Sequence, residues 1–300
     1  MLRSRALLKW AAFAGLVAHA LIVVTGGAVR LTGSGLGCPT WPQCVDGSYV
    51  PTAEMGIHGV IEFTNRTLTG VIGFIVGAAL VLAWLTKRRE LTVPALLSVL
   101  GVPAQAVVGG MTVLTNLNPW VVGCHFLASM AALVAAYTLW IRIDRPAGPP
   151  VWAVRPPVRA LTWLTMVTSG AVIVAGTVVT GSGPHAGDAD AKRNGLDPGA
   201  FAQLHTDLVF LLLGLSVALW LTLKAVGARS KVAGVFVLVL LGQGLIGFVQ
   251  YFTHLPVVLV AAHMAGACVV WIATLAVWHD LRPRTALPVA AGQPRNVATV

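Results

Sequence analysis

Eight stretches of this chain stay apolar for about 20 residues or more, at 10–29, 60–85, 92–115, 121–141, 159–180, 202–223, 232–251 and 257–279. A run of that length spans the hydrocarbon of a bilayer as an α-helix, and it constrains the fold more than any motif. Of the 300 residues, 57 % are hydrophobic and 10 % charged. A soluble domain carries about 25 % charged residues, so this chain lacks the charges to cover a water-facing surface. Disorder is excluded too, because it needs low hydrophobicity and high charge density. The runs are continuous rather than alternating, which excludes a transmembrane barrel. The expected class is an all-α membrane protein. The first run follows Arg3, Arg5 and Lys9 as a secretory signal would, but no clear cleavage site precedes the next polar stretch. It is read as a helix.

Lys and Arg set the expected orientation, because loops on the cytoplasmic side retain them. With the N-terminus inside, sixteen of the twenty fall on inner segments. Arg30, Lys192 and Arg193 fall outside, and Arg66 lies within a helix. The net charge of +10 is thereby explained by topology, without a nucleic-acid partner. The lipid bilayer is the partner that composition requires. Trp41, Trp84, Trp120, Trp140, Trp163 and Trp278 lie near span ends, as interfacial aromatics do. Two long outer loops are expected near 30–58 and 181–201. An inner stretch rich in Pro and Arg joins two halves, and a disordered tail follows residue 281.

An internal repeat supports the division. Thr32-Gly33-Ser34-Gly35 after the first span recurs as Thr180-Gly181-Ser182-Gly183 after the fifth. Gln105, Gly109, Thr115, Leu117 and His125 recur at Gln243, Gly247, Thr253, Leu255 and His263. Each half holds an even number of spans, so both face the same way. The expected architecture is eight transmembrane helices in two pseudo-twofold-related four-helix bundles, related along the membrane normal. Residues 1–145 form the first half, 146–158 the linker, 159–281 the second half and 282–300 the tail.

Ionisable groups inside a bilayer are costly and mark function. Here they gather towards the outer ends of the even-numbered spans: Glu62, Asn65 and Arg66, then His125, His205 and His263. The spacing from His205 to His263 nearly matches that from Asn65 to His125, so Asn65 takes in the first half the place of His205 in the second. His205 and His263 on facing helices can supply two axial nitrogens to one haem iron. The competing reading is a pair of hydrogen-bonded core histidines. Zinc would want four ligands, and no Cys or carboxylate stands obviously beside these two. In the first half His125 is the firm ligand candidate, with His58 as a substitute for the missing partner on nearly the same helix face as Asn65. Glu62, one turn before Asn65, is a candidate proton acceptor or cation stabiliser, or a structural partner of Arg66. Arg66 can clamp a propionate or reach the outer interface. Gln105 and Gln243 are expected to bond between helices, and Gly109, Gly110 and Gly247 to let helices approach closely. Cys38 and Cys44 lie in the first outer loop, on the oxidising side, where they can form a structural disulfide or a redox-active pair. Cys124 and Cys268 are expected in the core.

This ordered set resembles the haem A synthase family. The residues that carry the resemblance are Gly26-Gly27-Ala28-Val29-Arg30-Leu31-Thr32-Gly33-Ser34-Gly35-Leu36, then Cys38, Cys44, Glu62, Arg66, His125, His205 and His263. The resemblance runs from about residue 10 to about residue 280. It implies an oxidoreductase that converts the C8 methyl of haem O to a formyl group, through an alcohol and a hydrated aldehyde, giving haem A for terminal oxidases. It implies a resident haem b on His205 and His263, and a substrate site with His125 as ligand and Glu62 close to the reacting group. The cysteine pair is similar to one that assists the reaction or substrate delivery. Implied partners are haem O, haem O synthase, cytochrome oxidase assembly factors and an electron acceptor of unknown kind. The implied location is the cell membrane, with both termini cytoplasmic and the haem sites towards the outer face. Asn65 departs from the family, which often has His there, so His58, water or an open site would take over. The second outer loop lacks the cysteine pair that some members carry. The alternatives are a non-enzymatic b-type cytochrome that transfers electrons, and a transporter. The first would want two full ligand pairs, and the second broken helices and midplane charges.

Overall fold

The computed structural model describes residues 2–286. Its eight helices are α1 (Leu2–Leu31), α2 (Gly56–Leu85), α3 (Arg89–Leu114), α4 (Pro119–Arg142), α5 (Pro156–Ser182), α6 (Pro198–Ala225), α7 (Lys231–Phe252) and α8 (Val257–Leu281). Each is long and apolar enough to cross a membrane. No β-strand forms among the described residues. Each helix runs a few residues beyond its apolar run or matches it closely, because local chemistry sets the ends. Pro119, Pro156 and Pro198 open α4, α5 and α6, where a missing N–H costs nothing. The Asn118 side chain accepts from the Trp120 amide at 3.0 Å, and Asp197 accepts from Ala200 at 2.5 Å. Both close helix starts with an N-cap.

α1 packs on α2 and α4, and α3 completes contacts with α2 and α4. In the same pattern α5 packs on α6 and α8, and α7 meets α6 and α8. The contacts across are α1 with α8, α4 with α5, and α4 with α8. The central layer holds Leu16, Met130, Leu133, Tyr137, Ile173 and Leu275, all buried. Ser169 and Thr274 share a buried hydroxyl bond of 2.9 Å, and the Trp271 indole donates to the Met130 carbonyl at 3.0 Å. Such polar contacts matter here because apolar burial alone does not favour helix over lipid.

The repeat is visible in the backbone. Asn116 and Leu117, between α3 and α4, have φ of 49° and 55°. Their repeat partners His254 and Leu255, between α7 and α8, have φ of 62° and 59°. The Leu117 amide donates to Thr112 at 2.7 Å and the Leu255 amide to Gln250 at 2.8 Å. These two short turns are therefore the same turn. The turns after α2 and α6 match as well. Lys87 after α2 has φ 56°, and Gly227 after α6 has φ 68°.

The linker is structured. Val151 donates to the Pro283 carbonyl, Ala153 to Leu281 and Thr285 to Pro149, at 2.9, 3.0 and 3.1 Å. Of the tail expected to be disordered, residues 282–286 are thus described, and several pair with the linker; residues 287–300 lie outside the described residues. At the opposite end the Gly35 amide donates to the Gly187 carbonyl at 2.8 Å. The Arg30 guanidinium donates to the carbonyls of His185 and Thr180 at 2.5 and 2.7 Å. The two long loops, after α1 and after α5, are thereby joined. One expectation needs correction. Cys268 is buried as anticipated, but Cys124 is exposed. It precedes His125 by one residue, about 100° round the helix, and a weakly polar thiol costs little on a lipid-facing surface.

A left-handed backbone costs a residue with a Cβ about 1–2 kcal/mol. Lys87→Gly is therefore expected to stabilise the protein by about 0.5–1 kcal/mol after the entropy of glycine is subtracted. Gly227→Lys should destabilise it comparably. Thermal unfolding in detergent checks both, and equal midpoints for all three proteins would refute the assignment of strain.

Candidate functional site

Each of the three outer histidines expected to act stands against a glycine of the preceding helix. A Cβ at Gly176 would lie 3.2 Å from the His205 ring, one at Gly247 3.1 Å from the His263 ring, and one at Gly109 3.3 Å from the His125 ring. These glycines admit imidazoles. That corrects the expectation that Gly109 and Gly247 serve helix approach, and Gly110 likewise seats the Trp41 indole of the outer loop. The His205 and His263 ring centroids are 6.5 Å apart with an interplanar angle of 75°. They project from α6 and α8, which are not packed neighbours. The His205 Nδ1 is 3.0 Å from the Val172 carbonyl. A carbonyl only accepts, so Nδ1 carries the proton and Nε2 keeps its lone pair. The His263 Nδ1 is 3.0 Å from the Gln243 amide. His205 is thereby ready to ligate a metal through Nε2; the Gln243 Nε2 donates to His263 Nδ1, so His263 can do the same once that amide turns its oxygen towards Nδ1. Among the described residues no group of three or more His, Cys, Asp or Glu gathers at a metal-ligating distance.

The first half of the chain differs. His125 Nδ1 is buried without a hydrogen-bond partner. Asn65 accepts from the Thr25 hydroxyl at 2.8 Å and lies 3.9 Å from a Cβ built on Gly26. It therefore occupies the same kind of niche as the histidines. His58 is exposed, bonded through Nδ1 to Ser34 at 2.8 Å, and two helical turns, about 10 Å, from Asn65. The structure does not bring His58 to Asn65.

Glu62 and Arg66 build the roof. Glu62 is buried, 5 % exposed, and its Oε2 accepts from the Cys38 amide at 2.7 Å. Its Oε1 accepts from Arg66 Nε at 3.2 Å and Nη2 at 2.5 Å. Arg66 also donates to the carbonyls of Thr40, Gln43 and Cys38 at 3.0, 3.2 and 2.9 Å. A guanidinium has five N–H donors, and these bonds occupy all five. Arg66 is committed to the loop, which leaves it no donor for a propionate in this arrangement. Cys38 and Cys44 are disulfide-bonded and fully buried. The pair closes the segment that Arg66 holds, so the carboxylate, the guanidinium and the disulfide form one unit over α2.

Residues 9–190, more than half of the chain, match the family COX15-CtaA, described as cytochrome oxidase assembly protein. The chain belongs to this family. Among curated proteins, it is similar to heme A synthase of Lysinibacillus sphaericus, 35 % identical over 144 residues, covering 46 % of each protein. It is also similar to heme A synthase of Staphylococcus epidermidis, 28 % identical over 181 residues and 58 % of each. Heme A synthase of Bacillus cereus matches at 36 % identity over 132 residues, 42 % of each. The alignments span about half the length of these relatives. The COX15-CtaA match covers the disulfide loop, Glu62, Arg66 and His125, and ends before His205 and His263. For the latter pair, the repeat and the ring geometry carry the reading.

Sequence reading missed three participants: Gly176, the Val172 carbonyl and the role of Arg66. Gly176 was findable, since Gly109 and Gly247 already flank repeat-related histidines. The Val172 carbonyl leaves no mark in sequence. Removing Arg66 would strand the Glu62 charge and free three loop carbonyls. Losing one partner of a largely buried ion pair costs about 3 kcal/mol, about a hundredfold in loop opening. Arg66→Met is expected to make residues 38–50 sensitive to protease added from the loop side. Unchanged cleavage would refute the clamp.

Proposed function

We propose that this protein is a haem A synthase, an oxidoreductase of the membrane that oxidises the C8 methyl of haem O to a formyl group. The single observation that carries the reading is the repeat-related set of glycine-backed histidines in a COX15-CtaA chain, one pair of which faces across 6.5 Å. Imidazole nitrogens are ordinary ligands of haem iron, and these two rings face each other with no side chain among the described residues bonded to both. The donor set fits as well, because His205 already presents Nε2 with a lone pair. His205 and His263 would hold a resident haem b, and that group supplies one-electron redox chemistry when bound.

The first half is read as the substrate site. His125, with one ring nitrogen unpartnered, is a ligand available to a guest. Asn65 is a poor iron ligand, so His125 would be the one firm ligand of this half. Glu62 lies beneath the disulfide loop, bonded to the Cys38 amide and Arg66, and in this reading it would take a proton or balance positive charge during the oxidation. Arg66 positions Glu62 and excludes water through the loop it holds. Cys38 and Cys44 keep the loop closed. The packing pattern of α1–α4 and α5–α8 supports two four-helix bundles related by a twofold axis along the membrane normal. The distribution of Lys and Arg supports cytoplasmic termini and an outward disulfide loop.

Three outcomes are expected. Coexpression with a haem O synthase in a host lacking haem A should yield haem A or its hydroxylated precursor in acidified-acetone extracts. Haem B and haem O alone, with folded protein in the membrane, would favour a non-enzymatic cytochrome. His205→Ala or His263→Ala should abolish the low-spin haem b spectrum, and a full spectrum in either would refute the ligand assignment. Glu62→Gln should lower turnover about 10²-fold or more, the range for a lost proton-transfer group, while haem b content stays normal. Turnover equal to the parent protein would make Glu62 structural.

A further inference from the structure

The same glutamine serves different partners in the two halves. Gln243 of α7 places Nε2 3.0 Å from His263 Nδ1 and donates to the His263 carbonyl at 2.9 Å. Its Oε1 is buried without a partner. The amide reaches this place because residue 266 is glycine, where a Cβ would overlap Gln243. In the first half the repeat partner of Gly266 is Ala128, whose Cβ occupies the corresponding position. There the amide of Gln105 donates to the hydroxyl of Ser129. Ser129 in turn donates to the His125 carbonyl at 3.1 Å. The repeat partner of Ser129 is Ala267, which offers no such acceptor. Two differences, Ala128 against Gly266 and Ser129 against Ala267, thus redirect one conserved-in-repeat amide. As a result His263 Nδ1 has a partner, whereas His125 Nδ1 has none.

We propose that Gln243 is a positioning residue that makes His263 a permanent iron ligand, and that Ser129 keeps Gln105 away from His125 so that His125 stays a releasable one. The inference rests on the haem reading above. An imidazole that ligates through Nε2 carries its proton on Nδ1 and binds more firmly when that proton meets an acceptor. A half-turn of the Gln243 amide exchanges its oxygen and nitrogen. It brings the unpartnered Oε1 onto Nδ1 and gives up the bond to the His263 carbonyl. Losing such a partner weakens metal binding about 10–100-fold. A resident cofactor needs that margin. A substrate that must enter and depart does not, and a glutamine on His125 would slow its release.

The test measures haem loss to excess apomyoglobin, together with the haem midpoint potential, on the full-length protein in detergent. Gln243→Leu is expected to lose haem b about 10–100-fold faster and to shift the potential upwards, because the ring donates less charge. Gln243→Glu supplies a stronger acceptor and should retain haem while shifting the potential downwards. The double change Ala128→Gly with Ser129→Ala should let Gln105 reach His125, so that the first half retains haem about 10–100-fold longer. Adding Gln105→Leu should cancel that gain. Parent-like loss and potential in Gln243→Leu would overturn the proposal. So would Gln243→Glu behaving as Gln243→Leu, since shape rather than hydrogen bonding would then be the cause. If His205→Ala and His263→Ala both keep their haem, the underlying haem reading is what fails.

Discussion

Hydrocarbon solvates no polar group, so every imidazole, amide and carboxylate carried on these helices must find its partner within the chain or a guest. The structure makes room for such groups by omitting side-chain volume on one helix where the next helix carries them, and leaves His125 Nδ1 and Gln243 Oε1 without a partner. Gly176, Gly247 and Gly109 each back an imidazole, and Gly26 lies near Asn65. In a soluble protein such glycines would weaken their helices by about 1 kcal/mol each relative to alanine. Here they decide where polar chemistry can sit. The repeat sets the same niche twice, Gly109 against His125 and Gly247 against His263.

The N-terminal half of α2 shows a second response to the same demand. Glu62 and Arg66 neutralise each other, yet neither is saturated by the other. Their remaining bonding capacity goes to the backbone of the disulfide loop. A stretch of irregular chain is thereby satisfied at the edge of the membrane, where unpaired carbonyls would otherwise be costly. The carboxylate gains a fixed orientation in return. A side chain read in sequence as a clamp for a ligand is instead a clamp for the protein, and it orders the group beside it.

The fold was legible because its signals are long and one-dimensional. The eight apolar runs, the Lys and Arg bias and the 138-residue offset between Gln105 and Gln243 need no knowledge of contacts. The helix ends were less legible, since α1 begins in a basic segment well before its apolar run. In the site, His205 and His263 stood out by type and spacing, and the structure brings their rings together. His58 also stood out, but helical phase alone did not reveal that Ser34 holds it at the exposed end of α2. The commitment of all five Arg66 donors depends on how a loop folds back, which no local pattern encodes. The divergence of Gln105 from Gln243 was present in the sequence as Ala128 and Gly266, yet it acquires meaning only when the clash is seen.

The pairing of the linker with residues 281–285 has a mechanical consequence. It fastens the chain between α4 and α5 to the end of α8. Arg30 and the contact between Gly35 and Gly187 fasten the opposite end. A body pinned at both ends cannot rock about its middle without breaking one set of pins, which is the motion that alternating access requires. Both ends of the helix assembly are thus held by hydrogen bonds between segments far apart in sequence.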